Sequence, residues 1–209
     1  MMADTVTAPR KTRIQAQNQE MILKAALEAF SAYGFRGATV DQIATSCGLS
    51  KPNLLYYFRR KEDIYLAVLE HTLHDWLEPL RSLDPTGEPI DEITRYIRTK
   101  IRLSRDNPKA SRLFANEILH GATAIGAYLR GPLKELVDEK AAIISGWMNQ
   151  GRLKPVDPHH LIFAIWATTQ HYADFDAQVS AVIGNPPDLM EKAEETLTTL
   201  LVEGLRPRP

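Results

Sequence analysis

TVDQIATSCGLSKPNLLYYFRRK, residues 39–61, reads as two short helices joined by a glycine turn and followed at once by a basic cluster. Thr39 and Gln42 have the spacing of a capping box, in which the hydroxyl accepts a first-turn amide and the Gln side chain reaches back. Val40, Ile43 and Ala44 give the first helix one apolar face over about two turns. Cys47-Gly48-Leu49 ends it, with Gly48 able to take a left-handed C-terminal cap. Ser50 is a good N-cap for the next helix, and Pro52 falls in its first turn, where amides lack intrahelical partners anyway. Leu54, with Phe58 one turn on, is expected to bury the second helix. Lys51, Asn53, Leu55, Tyr56 and Tyr57 are left near its outer face.

This is the layout of a helix-turn-helix, whose second helix enters the major groove of DNA with its N-terminal part. Asn53 has the amide needed to read an adenine edge, and Lys51 reaches a guanine or a phosphate. Tyr56 and Tyr57 carry hydroxyls suited to phosphate, as does the basic run containing Arg60 and Lys61. Thr39 and Ser50, at the two helix starts, complete the expected DNA-contacting set. The bland alternative is one corner of a helical protein, with half-buried tyrosines and solvated lysines. Charge decides between them. Residues 10–61 hold nine Lys/Arg against three Asp/Glu, whereas residues 62–209 carry a net −6. A basic N-terminal quarter on an acidic remainder is what a DNA-binding module with a separate partner domain requires.

The remainder of the chain carries helical periodicity with no convincing strand alternation, so the expected fold class is all-α. A polar tail, 1–12, is expected to be disordered. A first helix is predicted at about 15–33, with Ile22, Ala26, Ala29, Phe30 and Tyr33 on one stripe and Gly34 ending it. After the reader helices come helices at about 62–80, 89–106, 108–120, 122–150, 157–183 and 187–205, with Pro85-Thr86-Gly87 and Pro89 forming a linker-like loop. The expected organisation is a DNA-binding domain at 13–61 and a second helical domain at 62–209. LIFAIWA, residues 161–167, is apolar nearly all round and is expected to be buried on several sides. The last helix places Leu189, Ala193, Leu197, Leu200 and Leu201 on one face, and the two C-terminal helices look like half of a four-helix homodimer interface. With 209 residues and 44% hydrophobic content the chain can bury a sizeable core. A single cysteine, Cys47, excludes an internal disulfide framework. The absence of an apolar leader and the shortness of the longest apolar run lead to the expectation of a cytoplasmic protein with no membrane partner.

AALEAFSAYGFRGATVDQIATSCGLSKPNLLYYFRRKEDIYLAVL, residues 25–69, resembles the TetR family of bacterial one-component regulators. The resemblance lies in Tyr33-Gly34, the Thr39 cap, Ile43-Ala44, Gly48, and Tyr57-Phe58 followed by Lys61-Glu62. It implies an all-α dimer with an N-terminal reader of operator DNA and a C-terminal ligand-binding, dimerising domain. One departure stands out: Arg60 occupies a position where the family has a small N-cap, which leaves the start of the fourth helix without its usual cap and adds a cation near phosphate. HDWLEPL (74–80), YIRTKIRLSRDNPKASRLF (96–114), HLIFAIWATTQHYADF (160–175) and the terminal EGLRP resemble the pyrimidine-responsive branch of that family. That resemblance implies a repressor or dual regulator of pyrimidine catabolism, released from DNA by uracil or thymine.

A small planar heterocycle needs a mostly apolar pocket with aromatic walls and a few polar groups to orient it. Uracil alternates C=O and N–H, an edge that a carboxamide meets with one donor and one acceptor. Gln170 lies one helical turn beyond Trp166, beside His171 and Tyr172; Asn116 and Glu117 offer further polar groups, and Trp76 and Phe114 apolar walls. These eight are the candidate ligand-binding residues, with a different small aromatic effector as the neighbouring alternative. A di-metal carboxylate enzyme is the alternative from another class, since Glu117 and His120 form a Glu-x-x-His pair. Such a site needs a second copy and two further glutamates, and the nearest partner, Asp157-Pro158-His159-His160, sits at a helix start. His71, His74 and Asp75 share a helix face but read better as solvated groups. No nucleotide-loop, zinc-protease or nucleophile-elbow motif is present. Neither a catalytic residue, a metal site nor a cofactor is therefore expected.

Overall fold

The computed structural model describes residues 13–207, and every regular element among them is helical. The predicted disordered tail, 1–12, lies outside the described residues. In chain order the helices are α1 (Arg13–Gly37), α2 (Val40–Ser46), α3 (Lys51–Tyr57), α4 (Lys61–Arg81), α5 (Pro89–Asp106), α6 (Pro108–Leu119), α7 (Gly126–Tyr128), α8 (Lys134–Asn149), α9 (Pro158–Asp174), α10 (Asp176–Ile183) and α11 (Leu189–Leu205). A π-helical turn, Leu129–Leu133, joins α7 to α8. The chain divides into two compact units between Val68 and Leu69, inside α4.

In the first unit α1 breaks at Gly34, whose φ of +67° is open to glycine but strained for an L side chain. Ile22, Ala26, Ala29 and Phe30 form the buried stripe of α1, and Ile43, Ala44, Leu54, Ile64 and Tyr65 of the following helices are buried as well. Tyr33 does not join that stripe; it is exposed, at the break that Gly34 makes in α1. Phe30, Phe35 and Tyr65 instead make an aromatic cluster, with Phe30 edge-on to Tyr65 at 5.0 Å.

The second unit is built around α5. Ile93, Ile97 and Ile101 of α5 pack with Val137, Ala141, Ile144 and Trp147 of α8, Leu161, Ile162 and Ile165 of α9, and Leu197, Val202 and Leu205 of α11. Three expectations change here. The long helix predicted at 122–150 begins only at α7 and reaches α8 through the π turn, which contains Gly131 and Pro132. The helix predicted at 157–183 breaks at Phe175, the C-cap of α9. The 161–167 segment is not buried all round, since Phe163 is half exposed, and Leu200 on α11 also faces outward. The loop read as a linker is pinned to the core: Trp147 Nε1 donates to Pro85 O at 3.1 Å, Arg152 to Gly87 O at 2.9 Å, and the buried Glu92 carboxylate accepts from Asp84 N–H at 2.8 Å.

Candidate functional site

The first candidate site is the outer face of α2 and α3. Both ends of α2 are closed by local hydrogen bonds. Gln42 N–H donates to Thr39 Oγ1 at 3.2 Å and Thr39 N–H to Gln42 Oε1 at 2.8 Å, a complete capping box. At the other end Gly48 takes φ +70°, letting Leu49 N–H reach Ala44 O at 2.9 Å and Gly48 N–H reach Thr45 O at 3.2 Å. Ser50 Oγ then accepts from Asn53 N–H at 3.4 Å and starts α3. Leu54 is fully buried, so the helix presents Lys51, Asn53 and Tyr56 to solvent. Phe58, expected to be buried within that helix, is its extended C-cap and half-buried.

The candidate DNA residues fall into two groups according to whether their polar atoms are already engaged. Asn53 and Tyr56 are exposed, with no side-chain hydrogen bond among the described residues. Lys51 pairs with Asp41 at 2.7 Å, both well exposed; such a surface pair is worth at most about 1 kcal/mol and exchanges readily for another anion. Tyr57 is half-buried, and its hydroxyl accepts from Asn18 Nδ2 of α1 at 2.7 Å. Thr39 and Ser50 hold helix N-termini. Arg60 solves the missing cap of α4 in reverse: its own N–H donates to Asp63 Oδ2 at 3.1 Å while its guanidinium donates to Asp63 Oδ1 at 3.0 Å. That hydrogen bond and the Asp63 charge raise the Arg60 pKa above its ordinary value. Lys61 is committed elsewhere. Its ammonium donates to Phe35 O at 2.7 Å and Ala38 O at 3.0 Å and lies 4.6 Å from the centre of the Phe35 ring. Lys61 thus fastens the start of α4 to the carbonyls that end α1, a role that spacing along the sequence gave no means of seeing.

The second candidate site is the polar interior of the second unit. Trp76 is buried with its ring 6.2 Å from that of the half-buried Phe114. Trp166 is half-buried, stands 5.7 Å from Phe163, and donates its Nε1–H to the buried Tyr96 hydroxyl. Gln170 is half-buried, and its side chain makes no hydrogen bond to another described residue. Tyr172 packs on the core, whereas His171 is exposed and stacked on Phe175 at 5.1 Å. Asn116 is exposed. Glu117 is buried, but its carboxylate accepts from Ala124 N–H at 2.7 Å and holds the loop after α6. His120 turns back to Asn116 O at 2.7 Å, so the Glu-x-x-His pair does not converge on a common point. Among the described residues no cluster of three His, Cys, Asp or Glu is placed to hold a metal ion, and no helix is long and apolar enough to cross a membrane.

Sequence reasoning missed two groups in this interior. Lys100 is buried, with its ammonium 4.4 Å from the centre of the Trp76 ring; burial lowers its pKa from 10.5 to about 7, the charge of Asp174 offsetting part of that effect. Ser104, one turn on, is fully buried. The signal was present: YIRTKIRLS places Lys100 and Ser104 in register with Ile93, Ile97 and Ile101 on the inward face of an amphipathic helix. Asp174 is held by a hydrogen bond from Ser111, and its pKa is raised by burial against the opposing effects of Ser111, Lys100, Arg112 and His171.

Comparison with known proteins adds to this geometry. Residues 22–68 match the family described as bacterial regulatory proteins, tetR family, and residues 69–208 match the YcdC-like protein, C-terminal region. The HTH-type transcriptional regulator RutR of Escherichia coli (strain K12) is 47% identical over 205 residues, 97% of each chain. The HTH-type transcriptional repressor NicS of Pseudomonas putida is 41% identical over 66 residues, 30% of this chain and 31% of its own. Among solved structures, a TetR-like transcriptional regulator from Rhodococcus sp. RHA1 aligns with a TM-score of 0.68 at 21% identity, covering 93% of this chain and 98% of that one. AibR, solved in complex with isovaleryl coenzyme A and operator DNA, aligns with a TM-score of 0.67 at 20% identity, covering 88% and 98%. At these identities the two structures share the fold.

Proposed function

This chain belongs to the TetR family of bacterial regulators and is a DNA-binding transcriptional regulator, and from that premise we propose that it represses pyrimidine catabolism and leaves its operator when uracil or thymine binds. The observation that carries this reading is the 47% identity to RutR, which runs through both units and not the reader alone. The residues 74–80, 96–114 and 160–175, which resemble the pyrimidine-responsive branch, supply Trp76, Phe114, Trp166 and the unengaged Gln170. In this reading residues 13–61 read DNA, with Lys51, Asn53 and Tyr56 making the outward contacts, and the remainder binds effector and dimerises. The homodimer uses outward apolar groups of the C-terminal helices, among which Phe163 and Leu200 are exposed.

Release requires that the ligand favour a conformation in which two reader helices no longer match half-sites about 34–36 Å apart. Helix α4 has residues in both compact units, from Ile64 in one to Trp76 in the other, which makes it the lever of the proposed mechanism. By linkage, operator DNA then weakens uracil binding by the factor with which uracil weakens operator binding. Calorimetry with uracil and gel shift on the gene's own upstream region test the proposal. Uracil should release heat on binding and dissociate the DNA complex, and Gln170→Leu should abolish the response while leaving DNA binding of the free protein intact. No heat at millimolar uracil rejects the pyrimidine effector.

A further inference from the structure

The second unit buries a lysine side chain whose ammonium has no hydrogen-bonding partner among the described residues. Lys100 is 3% exposed, yet among the described residues its ammonium has neither a hydrogen bond nor an ion pair, only the Trp76 ring at 4.4 Å. The carboxylate whose field it feels, Asp174, is already bonded to the Ser111 hydroxyl. One helical turn beyond Lys100, Ser104 Oγ is buried and has no hydrogen-bond partner among the described residues. One turn before it, the Tyr96 hydroxyl accepts from Trp166. Residues four apart on a helix are neighbours on one face, so α5 carries a buried polar stripe, Tyr96–Lys100–Ser104, with Trp166 bonded to its first member and Trp76 stacked on its second.

An aromatic face compensates a buried ammonium only in part, and a buried hydroxyl without a partner is a rare and costly feature. Two such groups side by side are accounted for if an incoming molecule completes them. A stripe bordered by two tryptophans suits a planar ring, and an ammonium suits an acceptor oxygen on that ring. We infer that Lys100 and Ser104 form the oxygen-recognising edge of the effector site, the ammonium donating to a ring carbonyl or carboxylate oxygen and the hydroxyl meeting the adjacent polar atom of the ring. This rests on the reading that the second unit holds the effector site, and it deepens that reading by naming the recognised group. For uracil, the ammonium donates to a carbonyl oxygen and Ser104 Oγ accepts from the neighbouring ring N–H. A ring lacking the oxygen leaves the ammonium as unsatisfied as before and gains little by entering.

The test is a set of calorimetric and thermal-shift titrations of the full-length wild type, Lys100→Met and Ser104→Ala. The probes are uracil, thymine, 4-thiouracil, which replaces one acceptor oxygen by the weaker acceptor sulfur, and the ring carboxylates benzoate and nicotinate. Loss of a hydrogen bond to a charged donor should weaken uracil roughly thirtyfold or more in Lys100→Met, and loss of the hydroxyl roughly tenfold in Ser104→Ala. Wild type should prefer uracil to 4-thiouracil, and that preference should shrink in Lys100→Met. Equal uracil affinity of wild type and Lys100→Met, at unchanged melting cooperativity, overturns the inference and leaves the pyrimidine proposal standing. Should Lys100→Met fail to fold, Ser104→Ala together with the two uracils on wild type decides: no weakening by Ser104→Ala and no preference against sulfur overturns it. A wild type that ignores uracil and thymine but is stabilised by a ring carboxylate, with the stabilisation lost in Lys100→Met, supports the inference and removes the pyrimidine reading. A wild type stabilised by none of the five probes overturns both.

Discussion

Replacing Lys100 by methionine should stabilise the ligand-free protein, and the gain should depend on pH in a defined direction. Methionine keeps an unbranched stem, and its sulfur packs well against the Trp76 ring, so shape is largely conserved. What is removed is a charge buried without a hydrogen bond. The folded pKa of about 7 lies below the ordinary 10.5, so between those values the unfolded chain binds a proton that the folded chain lacks. Wild-type stability therefore rises with pH through that window, and below about 7, where both states are protonated, the full penalty is present. At about 1.4 kcal/mol per pH unit the window corresponds to roughly 5 kcal/mol as a ceiling. Lys100→Met removes this contribution. For a chain of this size 1 kcal/mol shifts the midpoint by about 2–4 °C, so the second unit should melt roughly 10 °C higher near pH 6.5. The advantage should shrink steadily as the pH is raised toward 10. The assay is thermal and denaturant unfolding of both proteins at four or five pH values, without ligand and at one protein concentration, because dimerisation makes the midpoint concentration-dependent. Titrating groups remote from Lys100 are common to both chains and cancel in the difference; Asp174, whose pKa the Lys100 charge lowers, does not, and its contribution is separated by the same comparison in an Asp174→Asn background. A variant less stable than wild type at pH 6.5, or a difference that does not change with pH, would falsify the argument, for then the ammonium is satisfied in the native state.

Three further outcomes are expected. Lys61→Ala should lower the melting temperature of the first unit, corresponding to about 1–3 kcal/mol for carbonyls left without their charged donor, with the salt slope of DNA binding unchanged; a flatter slope at unchanged stability would assign Lys61 to phosphate instead. Lys51→Ala and Asn53→Ala should leave stability within about 0.5 kcal/mol, while the first lowers the salt slope by about one and the second relaxes base preference at one operator position; unchanged binding by both variants across a salt titration removes α3 as the reader. Leu200→Glu should give a folded monomer by light scattering, because Leu200 is 67% exposed within its own chain, and a fully dimeric variant puts the interface elsewhere. Leu201 is the poorer probe, since it packs on its own core.

The reader was legible because everything that defines it is local. The Thr39–Gln42 box, the Gly48 turn and the Ser50 cap each join residues within a few positions, and every one of those hydrogen bonds forms. What the local pattern left out has several causes. Tyr33 belongs to the apolar pattern of α1 but is exposed at the break that Gly34 makes. The break at Phe175 leaves no glycine or proline in the sequence to mark it, and the π turn at Leu129–Leu133 is a change of helix type within a continuous coil. Lys61 looks like its neighbours Arg59 and Arg60, and only the return of the chain brings the end of α1 within its reach.

In both candidate sites one physical criterion sorts the polar side chains: whether the fold has already satisfied them. Thr39, Ser50, Lys51, Tyr57, Arg60 and Lys61 were candidates by residue type, and each has a side-chain hydrogen bond within the first unit, that of Lys51 being an exposed ion pair that exchanges readily. Asn53 and Tyr56 have no such side-chain bond and face water, where open hydrogen-bonding capacity costs nothing until DNA arrives. In the second unit Glu117 and Trp166 are satisfied, whereas among the described residues the Ser104 hydroxyl has no partner and the Lys100 ammonium only the Trp76 ring. That difference in location has a thermodynamic consequence. A solvated reader can be kept open without loss of stability, so its affinity is set by what DNA adds. A buried recognition group lowers the stability of the ligand-free state, and a ligand that completes it gains both the new hydrogen bond and relief of the burial penalty. The second gain is specific to the conformation that buries the group, which is the condition a ligand must meet to shift an equilibrium between conformations.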